Sequence, residues 1–373
     1  METRKSLKQG KIDFLLFIAI VVICAFGLVM LFSASYYYAQ AQYGDGFKYL
    51  KNQGLFMFLG MAAMIGLSFL DYHFWEKIKL PALLITLVLM VLVIFVGVDI
   101  NGAQRWLAIE LGGFSLSFQP SELAKFALIL YMASFMSQRS SAMKSFKYGL
   151  MPMLLIIGIM SVIILLQKNM SMMVIVVLMG MIMLYVGGAS VKHLVWLVIA
   201  AIPLFFIFAK IEPYRWERLT IFTNPWKDPR DSGYQLIQSL YAFGSGGLFG
   251  QGLNFSRQKL LFLTYGESDF IFAIIGEELG WVGCVLVIAA YAFVIYRGIR
   301  IALRCKDKFG SLFAAGITLV LAVQVAVNIG VATSSIPPTG QTLPFISSGG
   351  TSLFIFLAAM GILLNISRHT ELQ

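Results

Sequence analysis

Residues 12–35 read IDFLLFIAIVVICAFGLVMLFSAS, an apolar run that contains one charged side chain, Asp13. A helix of about 20 apolar residues crosses the hydrocarbon core of a bilayer, which is roughly 30 Å thick. The run follows a basic stretch, residues 4–11, and is longer than the apolar region of a cleaved signal peptide. This segment is therefore predicted to remain in the membrane as a helical anchor.

Nine further apolar segments follow along the chain, which has 373 residues and is 59% hydrophobic but only 12% charged. Soluble domains carry about 25% charged residues, so lipid is predicted to surround most of this chain. The ten predicted segments are 12–35, 52–70, 78–98, 121–138, 149–167, 171–189, 193–209, 270–296, 310–331 and 349–367. The sequence predicts an all-α polytopic membrane protein with about ten transmembrane helices in one domain, 1–373.

The distribution of charge predicts how these helices are oriented. With a cytoplasmic N-terminus, the cytoplasmic segments hold a basic excess equal to the whole formal net charge of +10, as the positive-inside rule requires. An even number of helices then places both termini in the cytoplasm and three loops outside, 99–120, 210–269 and 332–348. The largest, 210–269, lies between helices 7 and 8. The basic balance thus indicates topology and contact with anionic lipid rather than a nucleic-acid partner.

Asp269 stands where a loop that contains Arg257 and Lys259 meets an apolar helix. Burial raises the pKa of a carboxylic acid and nearby cations lower it, so the sequence leaves the protonation of Asp269 open. The adjacent Glu267 is expected to raise the pKa of Asp269 by like-charge repulsion. Asp269 could act as a general base on a hydroxyl at the membrane surface, or it could be an interfacial acid at a helix start.

Two more carboxylates, Glu277 and Glu278, lie about 12–13 Å further along the same helix, at 1.5 Å per residue. Carboxylates at that depth need partners. A structural ion pair or hydrogen-bond hub is favoured slightly over direct catalysis for both.

A second polar group comes from Glu122 and Lys125, which share one face of a helix that begins at Pro120. They form either a neutralised pair or a source of positive charge for a ligand phosphate. Arg105 suits bidentate phosphate contact but could equally be a lone loop cation.

Small polar and turn-forming residues fill the stretch 336–352 before the last segment. This composition predicts a re-entrant loop that lines a cavity, because backbone at membrane depth needs protein or water partners. In the long loop, residues 234–243 predict a short amphipathic helix. The three cysteines and three histidines are scattered, which predicts neither a disulfide framework nor a metal site.

At these positions the chain resembles the SEDS family of peptidoglycan polymerases, which includes FtsW, RodA and SpoVE. The resemblance runs nearly end to end, and several short stretches look more like FtsW and SpoVE than RodA. Its motifs are GAQRW at 102–106, FQPSE at 118–122, DFIFA at 269–273, EELG at 277–280, and LPF at 343–345 followed by Gly349 and Gly350.

The resemblance implies a peptidoglycan glycosyltransferase that polymerises lipid II, an undecaprenyl-pyrophosphate-linked disaccharide-peptide, outside the bacterial cytoplasmic membrane. It implies a class B penicillin-binding protein as a partner, other divisome or elongasome membrane proteins, and a location at the division septum. The biological role is division, sporulation or cell shape. A divalent cation, Mg²⁺ or Mn²⁺, is left open because no ligand cluster is visible.

Asp269 matches the essential loop acid of the family. In the mechanism that this match implies, Asp269 deprotonates or orients the sugar 4-hydroxyl of acceptor lipid II. That oxygen attacks the anomeric carbon of the growing chain and releases undecaprenyl pyrophosphate. The residues expected to bind substrate are Arg105, Glu122, Lys125, Arg257 and Lys259. The residues expected to have structural roles are Glu277, Glu278, Gly349 and Gly350.

One stretch departs from the family pattern. Many members carry Pro-Asp-Leu-Gly-Thr between the fifth and sixth helices, whereas residues 168–172 read Lys-Asn-Met-Ser-Met. An acid is lost and a base is gained, so no site residue is assigned there. Two other functions fit the sequence: a lipid II flippase, and a noncatalytic scaffold that recruits the penicillin-binding protein.

Overall fold

A computed structural model describes residues 10–100, 103–111, 114–211, 213–260 and 262–370 of the protein. Each of the ten predicted segments coincides with a helix. The helices are α1 Phe14–Tyr43, α2 Lys48–Phe69, α3 His73–Val96, α4 Pro120–Gln138, α5 Met151–Leu166, α6 Met170–Val186, α7 Val191–Ile211, α8 Pro213–Ile221, α9 Tyr234–Gly246, α10 Ile271–Arg304, α11 Lys308–Ala332 and α12 Gly350–Ser367. Helix α9 confirms the short helix predicted in the long loop.

Eight helices within the described ranges are long and apolar enough to cross a membrane: α1, α2, α3, α5 with the turn before it, α7, α10, α11 and α12. Helix α6 is equally apolar but has only 17 residues. Helix α4 is less apolar because it carries the buried side chains of Glu122 and Lys125. The protein is a helical, multi-pass membrane protein, and the number of ten crossings remains a prediction.

The two ends of the described chain meet on one side of the helical bundle. The amide of Gly10 donates to the carbonyl of Arg368 at 2.8 Å, and the amide of Asp13 donates to Ser367 Oγ at 2.9 Å. Asp13 also caps α1 and forms an ion pair with Arg297 at 2.6 Å. The first and last described residues therefore lie on the same face, as an even number of crossings requires.

Part of the loop 99–120 is folded into strands that the sequence reading did not anticipate. Strands β1 Val98–Ile100, β2 Ala103–Leu111 and β3 Phe114–Phe118 form an antiparallel sheet in the order β1-β2-β3. The stretch FSLSF in β3 alternates apolar and polar residues, which is the period of a strand. Strand β2 carries Arg105 to the turn between α5 and α6.

Helix α10 is broken at Gly280, which has a φ of 67° and a ψ of −165°. The backbone groups freed by this break bond to the glycine-rich loop after α9. The amide of Gln251 donates to Glu277 O at 2.9 Å, and the amide of Trp281 donates to Gly247 O at 2.9 Å. The loop thereby enters the bundle with its polar backbone satisfied, which lipid contact alone would not allow.

Candidate active site

Asp269 ends a tight turn immediately before α10. Its Oδ1 accepts a hydrogen bond from Ser268 Oγ at 2.7 Å, and its backbone carbonyl accepts one from Asn328 Nδ2 on α11 at 2.9 Å. A Cβ placed on Gly340, whose φ is 69°, would lie 3.4 Å from Oδ2 of Asp269. The carboxylate is therefore held between the start of α10 and the loop that follows α11.

The loop from 339 to 349 is bonded to the Asp269 turn through its backbone. Ser347 Oγ donates to Ser268 O at 2.6 Å, and the amide of Ser348 donates to Glu267 O at 2.8 Å. Asn328 Nδ2 also donates to Gln341 O at 2.7 Å. These contacts fix the position of Asp269, and the re-entrant path of the loop stays a prediction.

The two glycines after this loop sit at close contacts with α2. The amide of Gly349 donates to Gln53 Oε1 at 3.2 Å. A Cβ on Gly350 would overlap the ring of Phe56. A side chain at Gly350 would therefore push α12 away from α2, whereas a Cβ at Gly349 would make only ordinary contacts.

Burial raises the pKa of the Asp269 carboxyl, while the hydrogen bond from Ser268 and the charge of Arg218 act to lower it. Glu267 is 7% exposed, and burial together with the charge of Asp269 raises its pKa. Burial, rather than the charge of Glu267, is thus what raises the pKa of Asp269, whose protonation the sequence had left open. A raised pKa makes Asp269 a stronger base than an ordinary surface aspartate.

A cavity of about 490 Å³ lies beside this turn, between α6, α7 and α11. Its cationic rim is formed by Arg105, Lys168 and Arg218. The apolar residues that line it are Met170, Val174, Ile175, Leu178, Phe205, Leu219, Val323, Ala326, Val327, Ile336, Pro337 and Pro338. Arg218 connects the cavity to Asp269 electrostatically, and Thr339, also in the lining, precedes Gly340. This surface suits an anionic head group that carries an apolar tail.

Arg105 reaches the rim of the cavity from β2. Its Nε donates to Gln167 O at 3.3 Å, and its Nη2 donates to Lys168 O. The Lys168 backbone has a φ of 57°, a left-handed conformation that is uncommon for lysine. Arg105 thus joins β2 to the turn between α5 and α6 at the cavity, and its contact with a substrate stays a prediction.

Lys125 and Glu122 form a buried network on α4. Lys125 is fully buried, and its Nζ donates to both carboxylate oxygens of Glu122 at 2.9 Å and to Gln324 Oε1. Ser352 Oγ donates to Glu122 Oε2 at 3.0 Å, and Gln324 Nε2 donates to Thr342 O at 3.2 Å. The Glu122–Lys125 pair therefore stabilises the 339–349 loop beside Asp269 through Gln324, and it does not line the cavity.

The structure places Lys259 away from the cavity lining as well. Lys259 is 3% exposed, and its Nζ forms an ion pair with Glu278 at 2.8 Å. Ser33 Oγ donates to both oxygens of Glu278, at 2.7 and 2.8 Å. This geometry agrees with the structural role expected of Glu278 and gives Lys259 the same role rather than contact with a substrate phosphate.

Glu277 anchors the loop that carries Arg257. Its Oε1 accepts hydrogen bonds from the amide of Arg257 at 3.0 Å and from Ser245 Oγ at 3.3 Å, and Ser256 Oγ donates to Oε2. The Arg257 side chain is exposed and does not line the cavity. Of the cations proposed from the sequence, only Arg105 therefore reaches the cavity.

Two cavity residues, Arg218 and Lys168, were missed by the sequence reading. Arg218 lies on α8, a short helix inside the long loop. Nothing in the sequence distinguishes it from the other basic residues of that loop. Lys168 belongs to the stretch 168–172 to which no site was assigned, yet residues 168–171 line the cavity. The basic residue Lys168, which the family pattern lacks at this place, was the feature of the sequence that could have indicated the site.

Comparison with known proteins gives full-length similarities. A family model described as cell cycle protein, covering FtsW, RodA and SpoVE, matches residues 14–372. The chain is 41% identical to Stage V sporulation protein E of Bacillus subtilis (strain 168), covering 98% of this chain and 99% of that protein. It is 39% identical to a probable peptidoglycan glycosyltransferase FtsW of Geobacter sp. (strain M18), covering 95% and 96%.

Solved structures show the same fold. One, described as "Structural coordination of polymerization and crosslinking by a peptidoglycan synthase complex", matches with a TM-score of 0.79 at 28% identity, covering 97% of this chain and 99% of that chain. The rod shape determining protein RodA of Thermus thermophilus matches with a TM-score of 0.70 at 27% identity, covering 97% and 98%.

Proposed function

Because this chain belongs to the FtsW/RodA/SpoVE family, we propose that it is a peptidoglycan glycosyltransferase that polymerises lipid II on the outer face of the bacterial cytoplasmic membrane. Its partner is a class B penicillin-binding protein, which crosslinks the strands, together with other membrane proteins of the division or elongation machinery. The similarity to SpoVE and FtsW favours a role in sporulation or division, and the septum as location.

One observation carries this proposal: a base of raised pKa, Asp269, stands beside an apolar cavity with a cationic rim. Lipid II has a long polyprenyl tail, a pyrophosphate and a sugar in that order. The apolar lining suits the tail, and the rim of Arg105, Lys168 and Arg218 suits the pyrophosphate. The sugar that follows the pyrophosphate then comes to the side of the cavity where Asp269 lies.

The reaction is a displacement at the anomeric carbon of the growing strand. Asp269 takes the proton of the acceptor 4-hydroxyl as that oxygen forms the new glycosidic bond. The bond from the anomeric carbon to the pyrophosphate oxygen breaks, and undecaprenyl pyrophosphate leaves with the electron pair. The charge that develops on the leaving oxygen is stabilised by the rim cations, above all Arg105 and Arg218.

The buried networks position the reacting groups rather than contact the substrate. The Glu122–Lys125 pair holds Gln324 and, through it, Thr342 of the loop beside Asp269. Asn328 links Asp269 to the same loop. Positioning of this kind matters because small displacements of a catalytic group cost large factors in rate.

A metal ion has no evident cage of side chains here. Within the described ranges, no group of three or more His, Cys, Asp or Glu gathers closely enough to hold one. The carboxylates next to the reaction are Asp269 and the buried Glu267. We therefore derive no step through a divalent cation, and a requirement for Mg²⁺ or Mn²⁺ is tested by adding a chelator.

The proposal is tested with the purified protein and its penicillin-binding protein in liposomes that contain lipid II and have no ion or pH gradient. Glycan strands separated by gel electrophoresis are the expected product. Transfer of lipid II between leaflets without strands would favour a flippase instead. Neither strands nor transfer would leave a scaffold role and contradict the proposed activity.

A further inference from the structure

Four tyrosines form a patch near the turn that carries Glu267 and Asp269. We define the tyrosine patch as Tyr38 and Tyr43 of α1, Tyr49 of α2, and Tyr265. The rings of Tyr38 and Tyr49 lie 6.2 Å apart, and those of Tyr43 and Tyr49 lie 6.4 Å apart. None of these residues lines the cavity.

The patch is tied to Asp269 through Glu267. Glu267 is two residues before Asp269 and lies within electrostatic range of Asp269, Tyr38 and Tyr49. Its backbone carbonyl is held by the amide of Ser348. Tyr265, at the start of the same turn, has a left-handed φ of 60°, and its carbonyl accepts the amides of Ser268 and Phe270. The patch and the candidate base therefore share one turn.

The rings remain accessible at the surface. Tyr43 is 51% exposed and Tyr265 is 44% exposed, while Tyr38 and Tyr49 are partly buried. The ammonium of Lys48 lies 3.3 Å from the centroid of the Tyr43 ring. The patch thus offers aromatic faces together with phenol hydroxyls as donors and acceptors.

The chemistry of the patch differs from that of the cavity and selects a different ligand. Aromatic faces pack against the C–H faces of pyranose rings, and phenol hydroxyls exchange hydrogen bonds with sugar hydroxyls and amides. The patch lacks the three clustered cations that suit a pyrophosphate at the cavity. The cavity suits a lipid-linked anion, and the patch suits an uncharged sugar chain.

We propose that the tyrosine patch binds β-linked amino-sugar units of the growing glycan strand as it leaves Asp269. This inference rests on the proposed polymerase function and adds to it the path of the product. A strand held at the patch stays near the reaction centre after each transfer, so the patch promotes the synthesis of long strands.

An aromatic belt at the membrane interface would account for scattered exposed tyrosines. It would not account for tyrosines that contact one another around a buried carboxylate in the turn of the candidate base. An exposed aromatic residue outside the patch can therefore serve as a control. Phe58 of α2 is 71% exposed and is not part of the patch.

The experiment titrates the protein in nanodiscs with chitotetraose, a soluble β-1,4-linked amino-sugar oligomer without lipid or phosphate. We expect binding by wild type, roughly tenfold weaker binding by Tyr43→Ala, nearly full affinity for Tyr43→Phe, and no change for Phe58→Ala. Polymerisation gels should show shorter strands from Tyr43→Ala than from Phe58→Ala.

The Asp269→Asn variant separates this inference from the function on which it rests. That variant should make no strands and still bind chitotetraose like wild type. No binding by wild type at millimolar oligosaccharide, or equal binding by wild type and Tyr43→Ala, would overturn the patch as a sugar site. If wild type binds the oligosaccharide but makes no strands, the polymerase proposal fails while the sugar site stands.

Discussion

Replacing Lys259 by methionine distinguishes a structural cation from one that binds substrate. Lys259 and Glu278 form an ion pair at 2.8 Å, and both side chains are almost completely buried. Ser33 donates to both oxygens of Glu278. The single substitution therefore leaves a buried carboxylate that has lost its cation and keeps its hydroxyl partner.

The expected cost follows from this geometry. Removing one member of a buried ion pair costs about 3–5 kcal/mol, and the remaining hydrogen bonds from Ser33 place this case near the lower limit, at about 3 kcal/mol. A change of 1 kcal/mol shifts the Tm of a large domain by about 2–4 °C. Lys259→Met should thus lower the Tm by roughly 6 °C or more.

The double variant Lys259→Met/Glu278→Met completes the test. Replacing both members of a buried pair by apolar residues is often neutral or stabilising. The double variant should therefore regain most of the lost Tm and most of the polymerase activity. Thermal unfolding in detergent and initial rates with lipid II measure the two quantities, and Arg257→Met, an exposed cation of the same loop, is the control.

A substrate role for Lys259 predicts the opposite pattern. In that case Lys259→Met would keep the wild-type Tm and raise KM for lipid II. The double variant would stay as impaired as the single one, because the loss of Glu278 could not replace the missing cation. Either result would refute the structural role assigned here to Lys259.

Three further predictions concern the site and its supports. Arg218→Gln should lower kcat/KM for lipid II about tenfold or more, because one charge-assisted contact to the pyrophosphate is worth about 1.5–3 kcal/mol. Activity should fall as the pH decreases through the raised pKa of Asp269, since the base must be deprotonated. Ser268→Ala should move this loss of activity to higher pH, because the substitution removes a hydrogen bond that lowers the pKa of Asp269. Gly280→Ala should lower the Tm by several degrees, because a Cβ at a φ of 67° would overlap the backbone of Leu248 and Gly250.

Matched controls sharpen each of these three measurements. Arg230→Gln removes an exposed cation of the same loop and should leave kcat/KM unchanged; an equal loss in both variants would argue against a specific role for Arg218. If the loss of activity at low pH occurs at the same pH in Ser268→Ala as in wild type, a group other than Asp269 causes it. Gly66→Ala adds a Cβ that meets no atom within 4 Å, so a similar loss of Tm there would contradict the backbone clash at Gly280.

The ten apolar helices could be predicted from the sequence, because hydrophobicity over about 20 residues depends on composition alone, whereas α8 in the long loop was not predicted. The roles that the sequence assigned to Asp269 and Arg105 stay predictions. The sequence also predicted that Glu278 has a partner inside the bundle, since carboxylates inside an apolar helix need partners. It could not identify that partner. Lys259 is 19 positions from Glu278 along the chain, and only the break at Gly280 and the inserted loop bring the two together.

The cavity could not be predicted from the sequence, because its cations come from elements that are distant along the chain. Arg105 comes from β2, Lys168 from the turn after α5, and Arg218 from α8, and only tertiary packing brings them together. Lys168 was set aside because it departs from the family pattern, although that departure places a cation at the cavity. The strands at 98–118 were read as an irregular loop because apolar and polar residues alternate clearly only in β3.

The proposed catalytic role of Asp269 is decided by comparing wild type with Asp269→Asn. Both proteins would be purified with the penicillin-binding protein, checked for folding by Tm and for partner binding by co-elution, and assayed for strands made from lipid II. We expect strands from wild type and none from the folded, partner-bound Asp269→Asn, because an amide cannot accept the hydroxyl proton. Equal strand synthesis by the two proteins would contradict the proposed mechanism.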